Sequence, residues 1–512
     1  MNDSLRKRYF FKLLTNMVGL IIYVVTSAVI PRGLGPKAYG DFNFLTSFFV
    51  TITAFLDMGT SVAFYTKIAN RQKEFSLVAF YLYFSGLISL LMFVVVFITA
   101  VTTLHLTLWP DQGILYVSLA ALWAMMTWYA QVLNQMGDAY GLTVRTEMAR
   151  ISQRVLGLAI IITLFLLDRL NLLNLFFYHY VILLCLSLSF VWIIEKQGVS
   201  FRQSWRLSRK QLKSYVHEFY TYSHPLFTYS LIGLFIGIFD RWVLQFFSGS
   251  VQQGFFSLSY QIGAGCFLFT SAMTPLIMRE FSIAFGDKDL SRMASLFRRY
   301  IPLLYSITAY FACFVAMQAG KVTHIFGGAQ FHEATIVVAI MSFFPIHQTY
   351  GQLSGSIFFA ADQTRLYRNI GIIFMLASLP VTFFLIAPVQ MMGLGTGATG
   401  LAVKLVLFQF ITVNVMLYFN AKLLHLNFLR YFGHQIVSVA ALAGIAFISV
   451  TLLNHVSLLE SRAIASFILS GILYTILVVC LILLFPPIFG ITRADIFSLE
   501  RKMISIIRLG AG

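Results

Sequence analysis

Fourteen segments of mostly apolar residues follow one another along this 512-residue chain. Each is close to the roughly twenty residues that a helix needs to cross the hydrocarbon core of a bilayer. The connections between them are too short to form a separate domain outside the membrane. The sequence therefore predicts an all-α polytopic membrane protein. Its helices are predicted at residues 13–31, 42–65, 76–102, 114–136, 148–167, 172–194, 219–246, 254–279, 300–320, 334–359, 369–388, 396–419, 435–453 and 463–485.

The charge content excludes a water-soluble fold. Only 11% of the residues are charged, whereas 59% are hydrophobic. A soluble domain is about a quarter charged, because its surface must face water. The formal net charge of +17 would indicate nucleic-acid binding in a soluble protein, but here the basic residues are explained by membrane topology. No nucleic-acid partner is expected.

Basic residues concentrate on one side of the predicted membrane. When the connections are assigned alternately to two sides, starting with the N-terminus, the far side carries only Arg32, Lys37, Arg169, Lys321 and Arg462. Loops rich in Lys and Arg stay in the cytoplasm. Both termini are therefore predicted to be cytoplasmic.

A short motif recurs after the first helix and after the seventh. The first copy, GPKAYGDFNFL, begins at Gly35, and the second, GSVQQGFFSLS, begins at Gly249. The recurrence predicts two pseudo-repeated six-helix bundles around a central cavity, which is an arrangement that favours an alternating-access transporter. The predicted organisation is an N-terminal six-helix bundle (1–194), a cytoplasmic amphipathic linker (195–218), a second six-helix bundle (219–419), two additional transmembrane helices (420–490) and a cytoplasmic amphipathic tail (491–512).

Several charged residues and prolines lie within or at the ends of the hydrophobic segments. Buried charges in a membrane are costly and often mark a transport pathway, although salt bridges that lock the helices together explain them equally well. The candidates for binding an anionic substrate in the cavity are Arg241, Lys404, Arg154 and Asp240. The candidates for ion coupling are Asp57, Asp240 and Glu147, and the candidate hinges are Pro225 and Pro345.

Motifs of known enzyme classes are missing from the sequence. It contains no HExxH zinc motif, no phosphate-binding loop, no cysteine cluster and no GxSxG nucleophile motif. We therefore expect no catalytic residues, no metal and no cofactor.

Two stretches resemble a known family. PRGLGPKAYGDFNFLTSFF and FLDMGTSVAFYTKIA, within residues 31–69, resemble the N-terminal signature of the polysaccharide-exporter flippases. FDRWVLQFFSGSVQQGFFSLSYQIG (239–263) resembles that family's seventh-helix Asp-Arg and the start of its eighth helix. The second-half loop, residues 248–254, departs from the usual Leu-Gly-x-x-x-Val-Gly pattern. The positions that match the family pattern are Arg32, Gly35, Gly40, Asp57, Gly59, Asp240 and Arg241. Of these, the loop glycines Gly35 and Gly40 are expected to shape turns.

The resemblance implies a flippase of the multidrug, oligosaccharidyl-lipid and polysaccharide (MOP) superfamily. Wzx-type members move undecaprenyl-pyrophosphate-linked oligosaccharide repeat units across the bacterial inner membrane, for O-antigen, capsule or exopolysaccharide assembly. The implied partners are this lipid-linked substrate, membrane lipids, a polysaccharide polymerase and a chain-length regulator. The alternatives are a cation-coupled exporter of drugs or a peptidoglycan-precursor flippase in the same superfamily, a membrane-bound polymerase or glycosyltransferase, and a non-transporting scaffold.

Overall fold

The computed structural model describes residues 5–71, 74–198, 207–224, 227–267, 270, 273–454, 463–491 and 493. In these ranges all regular structure is helical. Twelve of the described helical stretches are long and apolar enough to cross a membrane. Two of them, interrupted by non-helical backbone at Gly35 and Gly249, each cover two of the predicted segments. The all-α polytopic membrane fold is therefore confirmed.

The α-helices of the described residues are numbered in chain order, and short 3-10 helices lie among them. The α-helices are α1 Leu5–Asp57, α2 Thr60–Asn70, α3 Phe75–Val101, α4 His105–Leu108, α5 Ile114–Ala139, α6 Thr143–Leu166, α7 Leu172–Glu195, α8 Arg209–Ser223, α9 Phe227–Gly265, α10 Thr274–Gly286, α11 Leu290–Met317, α12 Ala319–Gly327, α13 Thr335–Met341, α14 Phe344–Ala360, α15 Thr364–Ile386, α16 Gly397–Leu423, α17 Phe428–Asn454 and α18 Ala463–Leu484. The 3-10 helices are Ala329–Ala334, Val389–Met391 and Pro486–Phe489.

The chain divides into two compact units, Met1–Gly254 and Phe255–Gly512. The N-terminal unit contains α1 to α8 and the first part of α9. In it, α1 packs against α5 and α6, and α7 packs against α5 and α6. In the C-terminal unit, α11 packs against α17, and α16 packs against α14 and α15.

The interior of the N-terminal unit is built from aromatic side chains. Phe49 stacks on Trp109 with ring centroids 5.7 Å apart, and Phe64 stacks on Tyr81 at 4.2 Å. The outside of α3 is instead apolar and exposed, with Leu87 being 65% exposed. Such a surface is stable when lipid surrounds it, because the bilayer core is as apolar as the side chains.

The C-terminal unit has a tyrosine-rich core in which several buried polar groups pair with one another. Thr270 and Thr349 share a hydrogen bond of 2.9 Å between their hydroxyls, and Thr308 lies 3.0 Å from Thr349. Gln435 donates to the side-chain oxygen of Asn414 at 3.0 Å. Buried polar groups paired in this way avoid the desolvation penalty that unpaired groups incur.

The two copies of the glycine motif have the same backbone conformation. Gly35 has φ 71° and ψ 170°, and Gly249 has φ 73° and ψ −178°. Both values of φ are positive, a region that glycine adopts without the steric penalty of a Cβ atom. The matching breaks agree with the predicted repeat, and they confirm that Gly35 shapes a turn.

Gly40 lies inside α1 and does not shape a turn, contrary to the expectation from the sequence. A Cβ atom on Gly40 would lie 1.8 Å from the carbonyl oxygen of Ser250. A Cβ atom on Gly254, the matching glycine of the second copy, would lie 2.1 Å from the carbonyl oxygen of Pro36. The two glycines therefore allow the two copies of the motif to meet backbone against backbone.

Several helices extend beyond their predicted ends, because polar capping residues continue the helix where the apolar pattern stops. α11 begins at Leu290, ten residues before the prediction, where the Asp289 side chain accepts from the backbone N–H of Arg292 at 2.8 Å. α8 begins with a capping box formed by Ser208 and Gln211 and includes residues 219–223, which were assigned to the seventh membrane helix. The predicted amphipathic tail lies almost entirely outside the described residues.

α8 is tied to α2 and to the start of α3 by charged groups. Glu218 accepts hydrogen bonds from Lys67 and, at 2.9 Å, from Arg71. Tyr215 donates to the Glu74 carboxylate. Burial raises the pKa of Glu218, but the hydrogen bonds from Lys67 and Arg71 outweigh that effect and leave the pKa below its ordinary value.

We expect acid to loosen α8. The pKa of Glu218 is lowered on folding. The ionised carboxylate therefore contributes its full stabilisation of the folded state above the ordinary Glu pKa, and this stabilisation is lost as the pH falls through the lowered pKa. Partly exposed ion pairs contribute up to about 1 kcal/mol to stability. The hydrogen-exchange rate of the α8 amides, divided by the intrinsic rate at each pH, should therefore rise up to about fivefold on acidification. Glu218→Gln should show that faster exchange already at neutral pH. Unchanged protection of α8 in Glu218→Gln would contradict this role.

Candidate functional site

Asp57 lies at the break between α1 and α2, where Gly59 has φ 77°. Its Oδ1 accepts from the Thr60 hydroxyl and from the Ser61 backbone N–H, both at 2.9 Å. The Ser61 hydroxyl donates to Oδ2 at 2.7 Å, and Tyr81 donates to Oδ1 at 3.3 Å. The carboxylate therefore caps the N-terminus of α2, where it also opposes the positive end of the helix dipole. Its role in ion coupling stays a prediction.

Glu147 and Arg154 lie two turns apart on α6. The Glu147 side chain is fully buried and pairs with Arg150 at 3.2 Å. Arg154 is half-buried and donates from Nη1 to the backbone carbonyl of Thr15 on α1. Gly19 makes room for it, since a Cβ there would lie 1.9 Å from Nη1. Within the described part of the chain, no carboxylate lies at ion-pair distance from Arg154.

Asp240 and Arg241 are half-buried in α9, before its break at Gly249. Arg241 donates from Nη1 to the side-chain oxygen of Gln253 at 3.2 Å. The Gln253 amide nitrogen donates back to the carbonyl of Arg241. Gln253 is fully buried, so this reciprocal pair joins the two arms of α9 across the break.

A polar network next to this break was not predicted from the sequence. Gln112 donates to Asp41 at 2.6 Å and lies 3.4 Å from the Ser250 hydroxyl. Gln245 donates to Ser250 at 3.0 Å and to the carbonyl of Pro110 at 3.1 Å. A glutamine such as Gln245 within an apolar segment was the available signal, because a buried amide needs partners.

The remaining candidates lie in the C-terminal unit or outside the described residues. Lys404 is buried in α16 and 3% exposed. Pro345 occupies the first turn of α14, just after a helix break at Met341. Gly263 packs against this break, where a Cβ would lie 2.7 Å from the Met341 carbonyl oxygen. Pro225 lies outside the described residues. Both hinge roles stay predictions.

The structure distributes the predicted site residues over separate local clusters. Arg154, Asp240 and Arg241 belong to the N-terminal unit, whereas Lys404 belongs to the C-terminal unit. The hydrogen bonds of Asp57 go to α2 and α3. Among the described residues, no three His, Cys, Asp or Glu side chains are grouped so that they could hold a metal ion.

The polysaccharide biosynthesis protein family matches residues 5–279, which is more than half of the chain. The chain belongs to this family. No curated protein matches it. The match includes both stretches that resemble the polysaccharide-exporter flippases, so that resemblance is confirmed.

Solved structures similar to this chain are multidrug transporters and a lipid flippase. An inward-facing multidrug resistance MATE family transporter of the MOP superfamily aligns with 83% of this chain and 98% of its own, with a TM-score of 0.59 and 15% identity. The lipid II flippase MurJ, in an inward closed conformation, aligns with 91% of this chain and 97% of its own, with a TM-score of 0.59 and 12% identity. An outward-facing multidrug resistance MATE family transporter of the same superfamily aligns with 80% of this chain and 94% of its own, with a TM-score of 0.52 and 16% identity.

These similarities identify the fold of the chain. It is an integral, multi-pass membrane protein with the architecture of the MOP superfamily. Solved structures that share this fold include multidrug transporters and a lipid II flippase.

Proposed function

We propose that the protein flips undecaprenyl-pyrophosphate-linked oligosaccharide repeat units from the cytoplasmic to the periplasmic leaflet of the bacterial inner membrane. It works by alternating access, with both termini in the cytoplasm, and serves O-antigen, capsule or exopolysaccharide assembly. The observation that carries this proposal is the match to a polysaccharide biosynthesis family in a chain with a transporter fold. The flipped unit passes to a polysaccharide polymerase and a chain-length regulator.

The chemistry of the substrate explains why a protein is required. A pyrophosphate and several sugars cannot enter hydrocarbon without losing their hydration, which costs several kcal/mol for each unsatisfied polar group. Cationic side chains inside the membrane replace the lost water around the pyrophosphate. The polyprenyl tail can stay in lipid throughout.

Arg154 is the best candidate for contact with the pyrophosphate. It is half-buried in a membrane-spanning helix, and its described hydrogen bond goes to a neutral carbonyl. A guanidinium that is held in place without an ion-pair partner among the described residues retains a positive potential for an anion. Arg241, which Gln253 orients, is the second candidate, and Lys404 is the third.

We expect Arg154→Gln to reduce surface polysaccharide strongly and to cause accumulation of the lipid-linked repeat unit. A hydrogen bond to a charged group contributes about 1.5–3 kcal/mol, so transport should fall roughly ten- to hundredfold. Arg154→Lys, which keeps the charge but loses the planar fork, should give an intermediate loss. The measurement compares surface polymer and lipid-linked intermediate in cells with equal amounts of protein in the membrane.

Arg145→Gln is the matched control, because Arg145 is an exposed arginine in the first turn of the same helix. It should leave polysaccharide production at the level of the unchanged protein. Normal surface polymer in Arg154→Gln would rule out an essential role for Arg154. Normal polymer in cells that lack the protein altogether would rule out the proposed function.

A further inference from the structure

A cavity of about 850 Å³ lies in the C-terminal unit, between the N-terminal parts of α11 and α17 and the segment that follows α18. Three arginines line it, one from each of these elements: Arg298, Arg430 and Arg493. In the sequence, these arginines belong to the basic side that sets the predicted topology. Because they are separated by more than sixty residues in each case, only the fold reveals that they share one cavity.

One backbone carbonyl at the cavity lies at hydrogen-bond distance from several side chains. The carbonyl of Ile488 accepts from the hydroxyls of Ser306 at 2.9 Å and Ser438 at 2.7 Å, and it lies 3.1 Å from Nε2 of His434. Gly490 follows at φ 65°, and a Cβ there would lie 2.3 Å from Cβ of Pro302. These contacts fix the chain after α18 against α11 and α17, so the cavity is preformed.

The charges around the cavity are available for an anionic ligand. All three arginines are exposed, and no described carboxylate lies at ion-pair distance from them. Nε of Arg298 donates to the carbonyl of Ala294 at 3.2 Å, which orients this side chain. Guanidinium groups match phosphate oxygens with two parallel hydrogen bonds.

The opposite wall of the cavity is apolar and reaches the lipid-facing surface. Val437, Leu484 and Phe485 line the cavity, and each is more than half exposed. A ligand with a phosphate at one end and hydrocarbon at the other fits both walls. By the positive-inside rule, the three arginines lie at the cytoplasmic face, where basic pockets between membrane helices bind anionic lipid headgroups.

We propose that this cavity binds the phosphate headgroup of a resident anionic phospholipid from the cytoplasmic leaflet. Its acyl chains lie along the exposed apolar surface of α17 and α18. The volume of the cavity, about 850 Å³, lies within the range of sites that enclose small ligands. The site uses none of the residues proposed to bind the transported substrate, and it tethers α18 to α11 and α17.

The test uses the purified full-length protein and native mass spectrometry of bound lipid. We expect one phosphatidylglycerol to bind at least tenfold more tightly than phosphatidylcholine. The double variant Arg298→Gln, Arg430→Gln should lose that preference. The matched control is Arg365→Gln, Arg368→Gln, which removes the same charge from exposed positions at the start of α15 and should bind like the unchanged protein.

Three outcomes would overturn the proposal. They are an absence of preference for phosphatidylglycerol in the unchanged protein, an equal loss in both double variants, and displacement of phosphatidylglycerol by an equal concentration of undecaprenyl pyrophosphate. The last outcome would assign the cavity to the transported lipid. Size-exclusion chromatography is used to check that each variant is folded. If the double variant fails to fold, the single variant Arg430→Lys, which keeps the charge, should retain part of the preference for phosphatidylglycerol.

Discussion

Gly40→Ala and Gly254→Ala are each expected to prevent most of the protein from reaching its folded state. The added methyl would lie 1.8 Å from the Ser250 carbonyl oxygen in the first case and 2.1 Å from the Pro36 carbonyl oxygen in the second. Side chains can turn away from such a clash, but here both partners are backbone in helical segments. Overpacking costs about 1–3 kcal/mol and occasionally more, so the ratio of folded to unfolded protein should fall about fivefold to more than a hundredfold, and the folded yield should fall with it.

Gly233→Ala is the matched control for this prediction. Gly233 also lies in a membrane-spanning helix of the N-terminal unit, but a Cβ there would meet nothing within 4 Å. Its folded yield, measured by fluorescence-detected size-exclusion chromatography of detergent extracts, should equal that of the unchanged protein. Equal yields for all three variants would contradict the backbone contact between the two copies of the motif.

Asp57→Ala is expected to give the second-largest effect. The substitution removes the acceptor of four hydrogen bonds at the start of α2 and leaves the Tyr81 hydroxyl without this acceptor. Loss of a cap costs about 0.5–2 kcal/mol, and the Tyr81 hydroxyl keeps only the longer contact with the Thr60 hydroxyl at 3.4 Å. We therefore expect a lower midpoint of thermal unfolding in detergent and faster hydrogen exchange of the first turn of α2.

Asp57→Asn separates the capping role from ion coupling. Asparagine is also a good cap and retains one acceptor oxygen, so this variant should recover much of the stability lost in Asp57→Ala. If Asp57 couples transport to an ion, the folded Asp57→Asn protein should nevertheless transport with an altered pH dependence. An unchanged pH profile would count against coupling, whereas a stability equal to that of Asp57→Ala would contradict the capping role.

The membrane helices could be predicted from the sequence, but their ends could not be placed accurately. Long apolar runs indicate where a chain must lie in the bilayer, because no other solvent suits them. The ends depend on capping by residues such as Asp289, and on helical turns that continue into water beyond the apolar run. A hydropathy pattern contains no information about these turns, so α11 begins earlier than predicted.

The positions of special glycines were only partly predictable. Gly35 and Gly249 recur in the sequence with turn-like neighbours, and both adopt positive φ. The role of Gly40 depends on a carbonyl more than two hundred residues away. Local patterns do not report such contacts, although the recurrence of the glycine at both positions showed that it mattered.

The sequence indicates which types of residue are candidates for the site, but it does not indicate their hydrogen-bond partners. The sequence locates charged residues within or at the ends of the hydrophobic segments, since they interrupt the apolar runs. It did not reveal that Asp57 caps α2, although Thr60 and Ser61 are at capping distance along the chain. The pairing of Arg241 with Gln253, across a helix break, required the fold.

The most direct test of the proposed function is a reconstitution with purified protein in lipid vesicles. Undecaprenyl-pyrophosphate-linked oligosaccharide is placed in the inner leaflet, and its appearance outside is followed by cleavage of the sugars with an added glycosidase. We predict that the protein accelerates this appearance at least tenfold over protein-free vesicles and that Arg154→Gln removes most of the acceleration. A folded, correctly inserted protein that leaves the rate at the protein-free level would contradict the proposal.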